Sequence, residues 1–81
     1  MAYGYSLRLV KLNRAADSSM LGVRLGRACI KHDVSVVEVA NALNVTRQTI
    51  YNWFCGDSAP QDSVAGDVEA YIEALSALDP A

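Results

Sequence analysis

The chain has 81 residues, a formal net charge of -2, a hydrophobic fraction of 52% and a charged fraction of 20%. That length suits one domain with a small core, and the composition is that of a globular chain rather than a disordered one. No run of about 18 apolar residues occurs, which excludes a transmembrane helix and predicts no membrane partner. The start, MAYGYSLRLVKLN, lacks the charged opening and unbroken apolar stretch of a signal peptide. An intracellular, cytoplasmic location is therefore expected, or carriage inside a particle assembled in a cell.

The charge is divided along the chain. Arg8, Lys11, Arg14, Arg24, Arg27, Lys31 and Arg47 all lie in its first part, against Asp17, Asp33 and Glu38. From Gln48 onward there are only acids: Asp57, Asp62, Asp67, Glu69, Glu73 and Asp79. Attraction follows local potential rather than net charge, so an acidic protein of this kind is expected to have a basic face and an acidic back. Cys29 and Cys55 are expected as free thiols. A single histidine, His32, and no paired cysteine motif predict neither a metal site nor a cofactor.

Residues 1–16 read as an N-terminal arm. Tyr3, Tyr5, Leu7 and Leu9 alternate with small or polar residues, the period of a strand, so a short extended or strand-like segment is predicted there. Arg8, Lys11 and Arg14 make the arm basic. Asp17 and Ser18 are N-cap residue types. Leu21, Leu25, Ala28 and Cys29 then follow helical spacing, so a helix is predicted near 18–31, with Arg24, Arg27 and Lys31 on a neighbouring stripe. Gly22 and Gly26 weaken that helix by about 1 kcal/mol each relative to alanine, and their spacing would admit a closely approaching segment.

Ser35 and Glu38 have the spacing of a capping box and start a second helix, with Val36, Val39, Ala40 and Leu43 on one face. Asn44 tolerates the left-handed conformation. Thr46 is an N-cap candidate for a third helix, which runs to Phe54 or Cys55, and Gly56 suits its stop. GDSAPQDS is a turn cluster. A last helix is expected over 62–78. In it Val64, Val68, Tyr71, Leu75 and Leu78 repeat like a heptad. That repeat suits either the core of its own domain or a dimer seam.

VVEVANALNVTRQTIYNWFC therefore reads as two helices crossing through a short turn. Ala40 permits the close approach, and Asn44 takes the turn. Val39, Leu43, Val45, Ile50 and Trp53 pin the corner from inside. Arg47, Gln48, Thr49, Tyr51 and Asn52 are left facing outward. With Ala40, Leu43, Val45 and Ile50 at these places, the stretch resembles the helix-turn-helix of the phage Cro and repressor superfamily, also called XRE-like. The likeness extends over about residues 18–78. It departs where Asn44 stands for the usual turn glycine and Val36 for a frequent phosphate-contacting glutamine. The resemblance implies an all-α protein, a compact bundle of four or five helices. The helix-turn-helix domain would span 17–79 and follow the arm.

The resemblance also implies DNA contacts. Arg47, Gln48 and Thr49 would read bases, joined by Tyr51 and Asn52 on the same outer side. Arginine bonds a guanine O6 and N7 together, and glutamine an adenine N6 and N7. Thr46 and the backbone N–H groups beside it would meet a phosphate. Arg24, Arg27 and Lys31 would clamp the backbone, and Arg8, Lys11 and Arg14 of the arm would add to this or enter a minor groove. The expected function is sequence-specific binding of double-stranded DNA by a phage-type transcriptional regulator. A homodimer or higher oligomer would form through the last helix or the arm. A phage virion or DNA-packaging component, docked on a larger phage assembly, is the alternative. No nucleophile–base set, phosphate loop or metal-ligand spacing points to an enzyme.

Overall fold

A computed structural model describes residues 6–79 of the chain. These residues form five α-helices and no strand: α1 (Leu7–Ala15), α2 (Leu21–Lys31), α3 (Val36–Leu43), α4 (Arg47–Phe54) and α5 (Asp62–Ser76). The last four occupy the segments expected from the sequence. α2 starts later than predicted, with Met20 as its N-cap. Asp17 does not cap it. Its carboxylate accepts hydrogen bonds from the backbone N–H and hydroxyl of Ser19, and these hold its pKa below the usual carboxylate value. α5 ends at Ser76, before Leu78.

The expected extended arm needs correction. Leu7–Ala15 is helical, with Ser6 as N-cap accepting from the Leu9 N–H at 3.1 Å. Leu7 and Leu9 alternate like a strand, but Leu9, Asn13 and Ala16 also follow helical spacing, and tertiary contacts decide between the two periods. Leu9 and Asn13 are buried, so this segment belongs to the core rather than to a tail. Tyr3 and Tyr5 lie outside the described residues.

α2 is the centre of the bundle, with α1, α4 and α5 resting on it. Gly22 and Gly26 let α4 come close. A Cβ on Gly22 would stand 2.7 Å from Trp53 Cβ, and one on Gly26 would stand 2.9 Å from Phe54 Cγ. The core gathers Val23, Leu25, Cys29, Val39, Ile50, Phe54 and Val68, all fully buried, with Trp53, Ile72 and Leu75 nearly so. Each large side chain among them contributes about 1.5–3 kcal/mol. Val68, Ile72 and Leu75, with Val64 and Tyr71 half-buried, spend the heptad-like stripe of α5 on this core, leaving Leu78 69% exposed.

α2, α3 and α4 end alike. Asp33 and Asn44 both have φ 58° and Gly56 has φ 80°, all left-handed. Behind each, the next N–H reaches back to a carbonyl five residues earlier: Val34 to Cys29, Val45 to Ala40, and Asp57 to Asn52, at 2.8, 3.0 and 2.9 Å. This pairing satisfies carbonyls that a helix end leaves open. Val34 and Val45 then turn back onto the core.

Candidate nucleic-acid interface

α4 is amphipathic in a way that fixes its outer face. Ile50, Trp53 and Phe54 are buried, so Arg47, Gln48 and Tyr51 are exposed, with Asn52 and Thr49 half-buried at the edges. Ser35 starts α3 by accepting from the Glu38 N–H at 3.1 Å, and Thr46 starts α4 by accepting from the Thr49 N–H at 3.2 Å. The Thr46 and Thr49 hydroxyls also share a hydrogen bond of 2.9 Å. Thr49 is thus tied to the cap and turned toward Val45 and Trp53, while Gln48 and Asn52 point away from the core. Gln48 Nε2 donates to Asn52 Oδ1 at 3.1 Å, one turn along the helix.

α1 lies beside this face. A groove of about 470 Å³ runs between the two helices, lined by Arg8, Leu12, Gln48, Tyr51, Asn52 and Asp57 among others. Arg8 therefore joins the outer face of α4 from a different helix. Among the described residues neither Arg8 nor Arg47 is in an ion pair. Cys55, on the groove wall, has its thiol pKa raised by burial and by the Asp57 carboxylate, with Arg8 acting the other way. Both cysteines are free.

The remaining cations are elsewhere. Gly22 and Gly26 face α4, and Arg24 and Lys31 fall on the opposite side of α2, since each residue advances about 100°. Arg14, Arg27 and Lys31 line a different groove, between α1 and α2, with Val10, Asn13 and Ile30. Each of these three has a structural partner or position. The Arg27 Nη2 donates to the carbonyls of Arg14 and Ala16, at 3.1 and 3.4 Å, where α1 ends. Lys31 Nζ lies 3.2 Å from Asp79 Oδ1, and His32 Nε2 lies 2.8 Å from the same oxygen. Arg14 and Lys31 occupy the last turns of α1 and α2, where the helix dipole favours cations.

Of the residues singled out in the sequence, Arg8, Gln48, Tyr51 and Asn52 thus come together round one groove, while Thr46, Arg47 and Thr49 lie at the start of α4. Arg14, Arg24, Arg27 and Lys31 do not join them, and Lys11 is exposed on α1 between Arg8 and Arg14. The expected single basic face is split in two. Leu12, Cys55 and Asp57 are groove residues that the sequence did not single out. The Ser6 cap of α1 is the local signal that leads to Leu12.

No family model matches the chain, and neither a curated protein nor a solved structure matches it.

Proposed function

We propose that the protein binds double-stranded DNA sequence-specifically, as a regulator of transcription, with α3 and α4 as a helix-turn-helix. The observation that carries this reading is the outer face of α4. Arg47, Gln48 and Tyr51 stand exposed, with Asn52 half-buried beside them, on a helix whose opposite side is fully spent on the core. These side chains carry the donors and acceptors that match base edges in a major groove.

Two further features support it. α4 starts at an exposed cap, Thr46, whose hydroxyl takes the Thr49 N–H, and the positive end of the helix dipole there favours a phosphate. Arg8 adds a cation at the flank of α4, so local positive charge accompanies the polar face despite the acidic total. Arg24, Arg27 and Lys31 have no part in this interface, because they face away from it.

One such helix reads only a few base pairs, so tight binding asks for two copies on half-sites about one helical turn apart. The apolar side chains of α5 are used within the domain, so two copies have to pair through another surface.

The experiment is selection from random duplex DNA, followed by binding of the selected site and a scrambled control across a salt series. An enriched site held about a thousand-fold more tightly than the scramble supports the reading. Weak, equally salt-sensitive binding to both refutes it and favours a docking role in a larger assembly.

A further inference from the structure

The groove between α1 and α2 gathers three cations that the outer face of α4 does not use. It measures about 410 Å³ and is lined by Val10, Asn13, Arg14, Arg27, Ile30 and Lys31. We propose that it binds a small organic acid, an apolar amino acid acylated on its nitrogen. The carboxylate meets the cations, the side chain lies against Val10 and Ile30, and the amide N–H bonds Asn13 Oδ1.

Asn13 is what points to a ligand rather than to solvated charge. Its side chain lines the groove and is 1% exposed. Both amide hydrogens are spent on carbonyls, of Phe54 at 2.8 Å and of Val23 at 3.2 Å. These two bonds fix the amide, because turning it over would set its oxygen against two carbonyl oxygens. Oδ1 is therefore held away from α2 and α4, and among the described residues it accepts no hydrogen bond. A buried acceptor of this kind favours a donor brought by a ligand.

The rest of the lining selects the ligand. Arg14, Arg27 and Lys31 are exposed, and no carboxylate lines the groove with them. Arg14 is in no ion pair among the described residues. Arg27 Nη2 donates to the Arg14 and Ala16 carbonyls, which steadies the guanidinium and leaves its other N–H groups for an anion. Val10 and Ile30 are half-buried at the edge of the core and give the groove an apolar wall. A phosphodiester backbone has no group for that wall, whereas an aliphatic side chain does. The donor for Oδ1 has to be neutral, since a free amine would be repelled by the three cations. An acylated nitrogen beside the carboxylate meets both demands.

The test titrates the full chain with N-acetylleucine and follows proton–nitrogen NMR spectra. Saturable shifts are expected at the Asn13 side-chain amide and at Val10, Arg14 and Ile30, with none at Gln48 or Tyr51. N-acetylleucine amide, which lacks the charge, and leucine, which carries the amine, should each bind about ten-fold more weakly. Arg14→Gln should lose a similar factor, and Arg47→Gln on α4 should bind like the wild type; circular dichroism verifies that both are folded. The inference is overturned if no shift saturates by about 10 mM, if the Asn13 amide does not respond, or if the neutral amide binds as well as the acid. Scrambled duplex DNA that moves the same resonances would make the groove a phosphate site and also overturn it. A pentapeptide ending in leucine that binds more tightly than N-acetylleucine would give the site to the end of a protein chain and overturn the small-acid assignment.

Discussion

The Asn13 side-chain amide donates to the Phe54 carbonyl at 2.8 Å, joining α1 to the last turn of α4 over a separation of 41 residues. Its second hydrogen goes to the Val23 carbonyl of α2 at 3.2 Å. Asn13 is 1% exposed and is the one buried polar side chain among the described residues. One amide thereby ties three helices at the point where Gly26 leaves room for it. Replacing Asn13 with alanine should destabilise the fold by about 1–3 kcal/mol, through the lost bonds and the space left behind. Asn13→Asp should cost more at neutral pH, because a carboxylate would face two carbonyls. Urea unfolding ranks the two variants, and an aspartate as stable as the alanine would contradict this role.

The glycines separate close approach from helix propensity. Gly22→Ala and Gly26→Ala improve propensity, yet each new Cβ meets Trp53 or Asn13 and Phe54 within 3 Å. Both should lower stability, by roughly 1–3 kcal/mol. Gly66 lies in α5 with nothing within 4 Å of an added Cβ. Gly66→Ala should therefore raise stability by about 0.5–1 kcal/mol. Thermal unfolding of the three variants checks the signs.

Asn44 holds a left-handed conformation at the α3–α4 turn. Glycine takes that conformation without Cβ strain, so Asn44→Gly should leave stability equal or raise it by up to about 1 kcal/mol. Asn44→Val should lower it, since a branched side chain is disfavoured there. A melting temperature that rises for valine would show that the turn relaxes.

Placement of the cations sets an expectation for DNA binding under the proposed function. Arg8→Ala should weaken binding to all sequences and reduce the slope of log affinity against log salt by about 1. Arg27→Ala should leave that slope unchanged and instead lower stability, because Arg27 serves the carbonyls at the end of α1. A reduced slope for Arg27→Ala would return it to the interface.

Alkaline pH should act through Cys29. Burial, with the Glu38 charge second, raises its thiol pKa from 9.0 to about 12. The folded state thus retains a proton that the unfolded state gives up. The stabilisation is complete below the unfolded value and is lost as pH rises from about 9 toward 12, by up to about 1.4 kcal/mol per pH unit. Tyr71 acts in the same direction, its pKa raised first by burial and then by Cys29 and Glu38. Denaturation across this range should show a shallower fall for Cys29→Ala than for the wild type.

Much of the fold was legible because it rests on local chemistry. Ser35, Thr46, Asn44 and Gly56 mark helix starts and stops by their own side chains and backbone freedom, and the helices follow them. The spacing of Gly22 and Gly26 announced a close neighbour. Asp33 was not read as a helix stop, since aspartate takes the left-handed conformation less often than glycine or asparagine. α1 looks like a strand because Leu7 and Leu9 alternate, whereas its helical period runs through Leu9, Asn13 and Ala16, and the polar Asn13 gives that period no hydrophobic signal. The outer face of α4 was deducible from Ile50 and Trp53, which must turn inward. The fate of Arg24, Arg27 and Lys31 was not. Periodicity shows that residues share a face, but only the arrangement of helices shows what that face meets.

The turn between α3 and α4 leaves no spare chain. Its angle is set by Asn44, and the Val45 N–H is already bound back to Ala40. A single residue inserted there would rotate α4 by about 100° about its own axis. Ile50 would take the exposed place of Tyr51, and Thr49 and Asn52 would be driven into the buried places of Ile50 and Trp53. The segment from Asp57 to Gln61, exposed over most of its length, holds no such register. Insertions arising by chance should therefore survive between α4 and α5 and be eliminated between α3 and α4, so lengths in a set of diverged descendants should vary at one junction and stay fixed at the other.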